Sequence, residues 1–359
     1  MRAAARALSY DVAYLSRVIN GRQQPSGQLA SALDEFLGVD GELASLVTPK
    51  APPPASDEQS GPDTDIEHMK TSAAHVLKHA DRHGGDSVAS TAVQVWKSAQ
   101  RKLDAGDIPE EARNRYLAAV SESAEVAGWL LFDAGKFESA RTAFLESHML
   151  ARHAGERKME WFALDMLAML DIERCHPGGA YRIAEELTSQ NRVPPRVALL
   201  ARIRRGRALA QMGDSRRALT DLNAARGGLQ ESLSPRDPSW AWWVDECELV
   251  GHSGYALLGL GEPGRAVEYF QSALQNATPR GVMLYKAGLL HGYVKIKAWR
   301  EAQSELESIR PLLEEISSGR NRQALRGALR AIFEESSSPV SLTGFATDVI
   351  DRLRAFEAA

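Results

Sequence analysis

Three stretches of the chain superpose without gaps: AGWLLFDAGKFESARTAF (127–144), RGRALAQMGDSRRALTDL (205–222) and SGYALLGLGEPGRAVEYF (253–270). Each carries glycine at one point (Gly128, Gly206, Gly254) and a second glycine seven residues on (Gly135, Gly213, Gly261). Alanine (Ala140, Ala218, Ala266) and then an apolar residue (Phe144, Leu222, Phe270) follow at matching offsets. From Ile66 onward apolar residues recur at three- and four-residue spacing, turns are marked by Gly, Asp and Pro, and no convincing strand pattern occurs. The unit therefore reads as a helical hairpin. Its first glycine admits a close approach of two helices, its second supplies the positive φ of a helix C-cap, and its alanine sits where the helices cross.

Two weaker copies surround these. One turns near Cys175–Pro177 with Ala180 at the crossing, the other near Lys297–Ala298 with Ala302. Successive turns are 40, 38, 48 and 36 residues apart, and the longest interval contains the segment around Leu233–Trp243. This small–large–small pattern resembles the tetratricopeptide repeat, whose ideal period is about 34 residues. The resemblance implies an all-α solenoid over 66–335 with a C-terminal capping helix over 336–359. Helices in 66–120 and 320–356 are expected to begin and close the array, because an end repeat needs a polar outer face. In such arrays the first helix of each hairpin lines the concave surface. Through the glycine register this implies a groove of Trp129, Asp133, Asp165, Arg207, Gln211, Tyr255, His291 and Lys295, suited to a peptide, small-molecule or protein effector. A row of asparagines able to clamp a peptide backbone is not evident.

Ahead of the repeats, TPKAPPPASDEQSGPDTD (48–65) has five prolines, four acidic residues and no aromatic. It cannot form a core, and residues 49–65 read as an exposed linker. It sets off residues 1–48 as a separate small domain. There AARALSYDVAYLSRVINGRQQPS (4–26) resembles the second and third helices of the Cro and lambda-repressor helix-turn-helix family. Ala4, Ala7 and Leu8 fit the first of these helices, Ser9–Tyr10 the turn, and Asp11 an N-cap. Leu15 and Val18 fit the buried face of the recognition helix, Asn20–Gly21 ends it, and LASALDEFLGVDGELASL (29–46) matches the later helices. The resemblance places Val12, Ala13, Tyr14, Ser16, Arg17, Asn20, Arg22 and Gln24 toward DNA. Met1–Gln24 holds four arginines against one aspartate, a local basic face. The family has a helix before the one near Ala3. A start lying upstream is expected in preference to a remnant module.

Composition narrows the function further. The 359 residues are 44% apolar and 25% charged, which excludes a wholly disordered chain. A net charge of −4 excludes coating of nucleic acid by bulk charge. The longest stretch without a charged residue, Leu249–Gly261, is shorter than the roughly 20 residues of a membrane span. No secretory signal is evident, and Cys175 and Cys247 lie far apart, so a cytoplasmic protein with reduced thiols is expected. The 33 arginines against 10 lysines suggest a GC-rich bacterial genome.

Chemistry-bearing clusters have bland alternatives. His75, His79 and His83 fall at i, i+4 and i+8, a spacing that could hold a metal, but no glutamate is placed as in HExxH and a solvated face is expected. Trp240, Trp242 and Trp243 could line an effector pocket or bury the long inter-repeat loop, with packing expected. Arg202, Arg204, Arg205 and Arg207 form a basic run that neighbouring acidic helices are expected to neutralise. No phosphate loop, dinucleotide fingerprint or nucleophile elbow occurs, so no enzyme, no cofactor and no metal are expected.

The combination resembles bacterial, especially actinobacterial, transcriptional regulators. It implies operator DNA as a partner, a ligand-sensing or dimerising repeat domain, a homodimer and no membrane association. The alternative is a tetratricopeptide adaptor for another protein that has lost DNA binding.

Overall fold

The structure is a computed structural model that describes Leu8, Leu15, Val18, Pro25 and residues 27–37, 61–190 and 192–358. The chain divides into two units, Met1–Ser60 and Gly61–Ala359. The described residues are overwhelmingly helical and include no strand. In the first unit, helix α1 (Gly27–Leu37) buries Leu29 against Leu15, and Leu8, Val18 and Leu33 pack on that pair. Leu15 and Val18 are helical, in keeping with a shared buried face. Leu8 lies in a turn rather than in the helix assigned to it from sequence, a shift of the size by which helix ends vary.

The second unit begins with α2 (Pro62–His83), α3 (Ala89–Asp104) and α4 (Glu110–Asp133). Pro62 to Asp65, read from composition as linker, instead form the first turn of α2. Proline at the helix start gives up no needed donor, and Asp63 and Asp65 suit the positive end of the helix dipole. Hairpins then follow: α5 (Phe137–Ala154), α6 (Arg157–Glu173), α7 (Pro177–Ser189), α8 (Pro195–Gln211) and α9 (Ser215–Gly228). Two 3-10 turns, Gln230–Ser232 and Ser239–Trp243, fill the longest interval. The chain continues through α10 (Glu246–Gly259), α11 (Pro263–Leu274), α12 (Pro279–Lys295) and α13 (Trp299–Ile309). It finishes with α14 (Leu312–Glu315), α15 (Gly319–Glu334) and α16 (Val340–Ala358).

The five hairpin turns share one backbone geometry. Gly135, Gly213 and Gly261 have φ of +76°, +79° and +75°, and the non-glycine residues Cys175 and Lys297 adopt +56° and +60° at the equivalent points. At each, two N–H groups return to carbonyls of the closing helix, as Gly135 does to Phe132 and Lys136 to Leu131. The first glycine of each motif faces the apolar residue that ends it: a Cβ on Gly128 would lie 2.6 Å from the Phe144 ring, and one on Gly254 2.9 Å from Phe270. Ala140, Ala180, Ala218, Ala266 and Ala302 are all fully buried at the crossings.

The ends of the array meet. Ser317 N donates to His83 O at 2.6 Å, Asp86 N donates to Ser317 O at 3.1 Å, and Asp86 accepts from Gly319 N and Arg322. Ser318 Oγ donates to Asp133 O across 185 residues. A Cβ on Gly84 would stand 2.3 Å from Ser317 O, and one on Gly319 equally close to Ala134 O, so backbone meets backbone at this seam. In the closing helices Arg320 and Asn321 turn inward and are buried, while Gln323, Arg330, Glu334 and Asp348 stay exposed.

Cys175 is exposed and carries an ordinary side chain in a left-handed turn. Cys175→Gly is expected to raise the unfolding free energy by about 1 kcal/mol, since the left-handed conformation penalises a Cβ by roughly that amount. Urea denaturation monitored by circular dichroism checks it.

Candidate functional site

The inner helix faces enclose a cavity of about 270 Å³, far above the roughly 10–15 Å³ that a single water needs. Each wall follows from helical spacing. Glu125 and Trp129 stand four residues apart on one stripe of α4, and Phe162, Met166 and Met169 follow at spacings of four and three on α6. From α10 come Glu248, His252 and Tyr255, from α12 Arg280 and Leu284, from α2 Leu77 and Asp81, and from α15 Arg320. Gly251 completes the α10 wall because a Cβ there would stand 2.3 Å from the Tyr285 ring.

Trp240, Trp242 and Trp243 also line the cavity, where sequence reasoning favoured packing alone. They do both. Trp240 stacks on Phe162 at 4.4 Å, and its Nε1 donates to Lys158 O, so the long loop is pinned to α6 with its aromatic face inward. Trp243 closes the cluster 6.1 Å from Phe162, and Trp242, 77% exposed, stands at the mouth.

Behind the apolar lining runs a buried chain of charges. Arg204 is 1% exposed and grips Asp165 with Nε and Nη2 at 3.1 Å, while its Nη1 reaches Glu248 at 3.1 Å. Burial resists the charge on Arg204, but Asp165 and Glu248 outweigh it and raise its pKa. His252 Nδ1 lies 2.9 Å from Arg207 Nη1, and its Nε2 lies 2.8 Å from both Arg204 Nη1 and Glu248 Oε1. Glu173 lies between Arg207 and Arg320, and these cations overcome its burial to hold its carboxyl below the usual range. Arg280 pairs with Asp133, which also accepts from Gly85 N. Arg280 and Arg320 lie over the Trp129 and Phe132 rings, each at 4.9 Å.

The residues expected to form the groove divide accordingly. Trp129 and Tyr255 face the cavity, and Tyr255 Oη donates to Leu284 O. Asp133, Asp165 and Arg207 stand behind the wall in ion pairs, because a buried charge must be matched. Gln211 and Lys295 are exposed at helix ends away from the cavity, with Gln211 Nε2 donating to Ile172 O, and His291 is half-buried outside the lining. The basic run is taken up as well: Arg205 pairs with Asp221 and Glu185, and Arg202 is exposed. His75, His79 and His83 are exposed, the latter two in ring contact at 5.0 Å, and the described residues contain no group arranged to hold a metal. Val12, Ala13, Tyr14, Ser16, Arg17, Asn20, Arg22 and Gln24 lie outside the described residues. Glu125 stands four residues before Trp129 and Phe162 three before Asp165, a spacing that could have marked them, whereas Asp81, Arg280 and Arg320 carried no such signal.

A family model described as a helix-turn-helix domain matches residues 1–46. No curated protein matches the chain. Among solved structures it is similar to a Rap protein crystallised in complex with competence and sporulation factor, over 80% of this chain and 87% of that one, with a TM-score of 0.50 and 11% sequence identity. The likeness is one of fold alone.

Two predictions follow from the charge chain. Asp165→Ala is expected to cost about 3–5 kcal/mol of stability, because Arg204 loses its bidentate partner in a dry site. Asp351→Ala, which breaks an exposed pair with Arg354, should change it by less than about 0.5 kcal/mol. Chemical denaturation of both variants measures the contrast.

Burial, with Arg204 and Arg207 alongside, pushes His252 from its ordinary 6.5 down to about 4 despite Glu248. Between those values the unfolded chain takes up a proton that the folded chain refuses, so this residue's contribution to stability falls as pH drops from 6.5 toward 4. The difference in unfolding free energy between the parent and His252→Gln, followed across that window, is expected to show the slope.

Proposed function

We propose that the protein is a sequence-specific, DNA-binding transcriptional regulator of the Cro-like, actinobacterial type, acting in the cytoplasm as a homodimer, with its repeat domain as effector receptor. The observation that carries the reading is the pairing, on one chain, of a helix-turn-helix match over 1–46 with a mostly apolar, partly open chamber. Such a chamber, with a few polar groups turned inward, is the usual form of a small-ligand site. The Rap protein's capture of competence and sporulation factor supports the idea that a repeat fold of this kind takes an effector. No described helix is long and apolar enough to cross a membrane.

The chamber is read as binding rather than catalytic, since its buried acids and bases are largely paired with one another. Its walls come from both ends of the array, α2 and α4 on one side and α12 and α15 on the other. An effector seated between them has different contacts when the seam is closed and when it is open. That difference lets it shift the repeat domain's conformation and, through a dimer, the spacing of two DNA-reading heads.

Binding to the protein's own promoter region at two salt concentrations tests the reading. Selective retention that weakens with salt and falls about tenfold or more in Arg17→Ala is expected. Absence of selective binding would shift the assignment to a repeat adaptor for another protein.

A further inference from the structure

Glu125 is a buried acid of the wall with no cation paired to it. Its side chain is 3% exposed and lines the cavity one helical turn before Trp129, yet its Oε1 has no hydrogen-bond partner. The charged groups that weigh on it, Glu122 and Asp165, are both acids. Its buried acidic neighbours are treated differently. Asp133 has Arg280, Asp165 has Arg204, and Glu173 has Arg207 and Arg320. Burial, with those two acids, pushes the Glu125 carboxyl well above the ordinary range. A buried carboxyl with an open oxygen costs stability and calls for a partner. Arg280 and Arg320 face the cavity and are engaged by Asp133 and Glu173; each keeps a buried Nε without an acceptor, but neither is hydrogen-bonded to Glu125. Asp81 and Asp245 add further acid to the lining.

We propose that the chamber binds a ligand carrying an ammonium group on an apolar body, the nitrogen donating to Glu125 Oε1 and the body lying against Phe162 and Trp240. The assignment rests on the reading of the chamber as the effector site and specifies the chemistry it selects. A protonated amine provides both the missing donor and the missing positive charge, and a charge-assisted hydrogen bond in a dry site is strong. The stacked Phe162–Trp240 pair and the α6 methionines supply apolar surface for the rest of the molecule. A neutral ligand would leave Glu125 without a cationic partner, and an anionic one would engage the open Nε donors of Arg280 and Arg320 instead, the outcome that the phenylbutanoate arm distinguishes.

The test uses the full chain and three probes that share one body: phenylbutylamine, phenylbutanol and phenylbutanoate, titrated by calorimetry. The amine is expected to bind about tenfold or more tightly than the other two. Glu125→Gln should erase that preference while retaining binding of the alcohol, and Glu122→Gln, at an exposed position on the same helix, should keep it. Trp240→Ala should weaken all three probes together. Equal binding of the three, or an amine preference that survives Glu125→Gln, overturns the inference and leaves the effector reading standing. Binding by none of the probes overturns both.

Discussion

Arg204 is the point on which the packing of the repeats turns. Its guanidinium is removed from water between Asp165 of the hairpin before and Glu248 of the hairpin after, so three successive units must keep one register for its charge to be matched. Apolar contact alone is tolerant of small slides between helices, whereas a fully buried ion pair is not, because each ångström of separation forfeits attraction in a medium that screens little. The same logic continues through His252, Arg207 and Glu173 to Arg320, and on the opposite wall through Asp133 to Arg280.

Those links also explain why the array closes. Arg320 is drawn inward by Glu173, which it reaches across 147 residues, and its helix start brings Ser317 and Gly319 against the α2–α3 turn. The glycines at the seam let the two backbones touch. Closure turns a groove that could face solvent into a chamber whose polar groups act in a low-dielectric setting. Every unmatched group inside it gains in consequence, among them Glu125 Oε1 and the Nε groups of Arg280 and Arg320.

The hairpins were legible because each is a local device. The glycine at the turn, the glycine at the close approach and the alanine at the crossing answer to steric demands within about 17 residues, and the turns at Cys175 and Lys297 could be found without glycine because the flanking pattern persisted. Composition was a poorer guide at Pro62–Asp65, where proline and aspartate serve equally in a linker and in a first helical turn. Three tryptophans after a proline turn were visible in the sequence, yet their double duty was not, since packing a loop and lining a chamber use the same side chains.

The sequence by itself determined an all-α chain with a helix-turn-helix module and a run of tetratricopeptide-like hairpins, because those features rest on short-range spacing, turn chemistry and charge. Only the tertiary structure decided that Asp165 and Arg207 are structural counter-charges, that Trp129 and Tyr255 share a chamber with Trp240 and Arg320, and that Glu125 is left without a partner. Each of these depends on residues brought together from distant parts of the chain, where the superhelix sets the distances and helical periodicity carries no record of them.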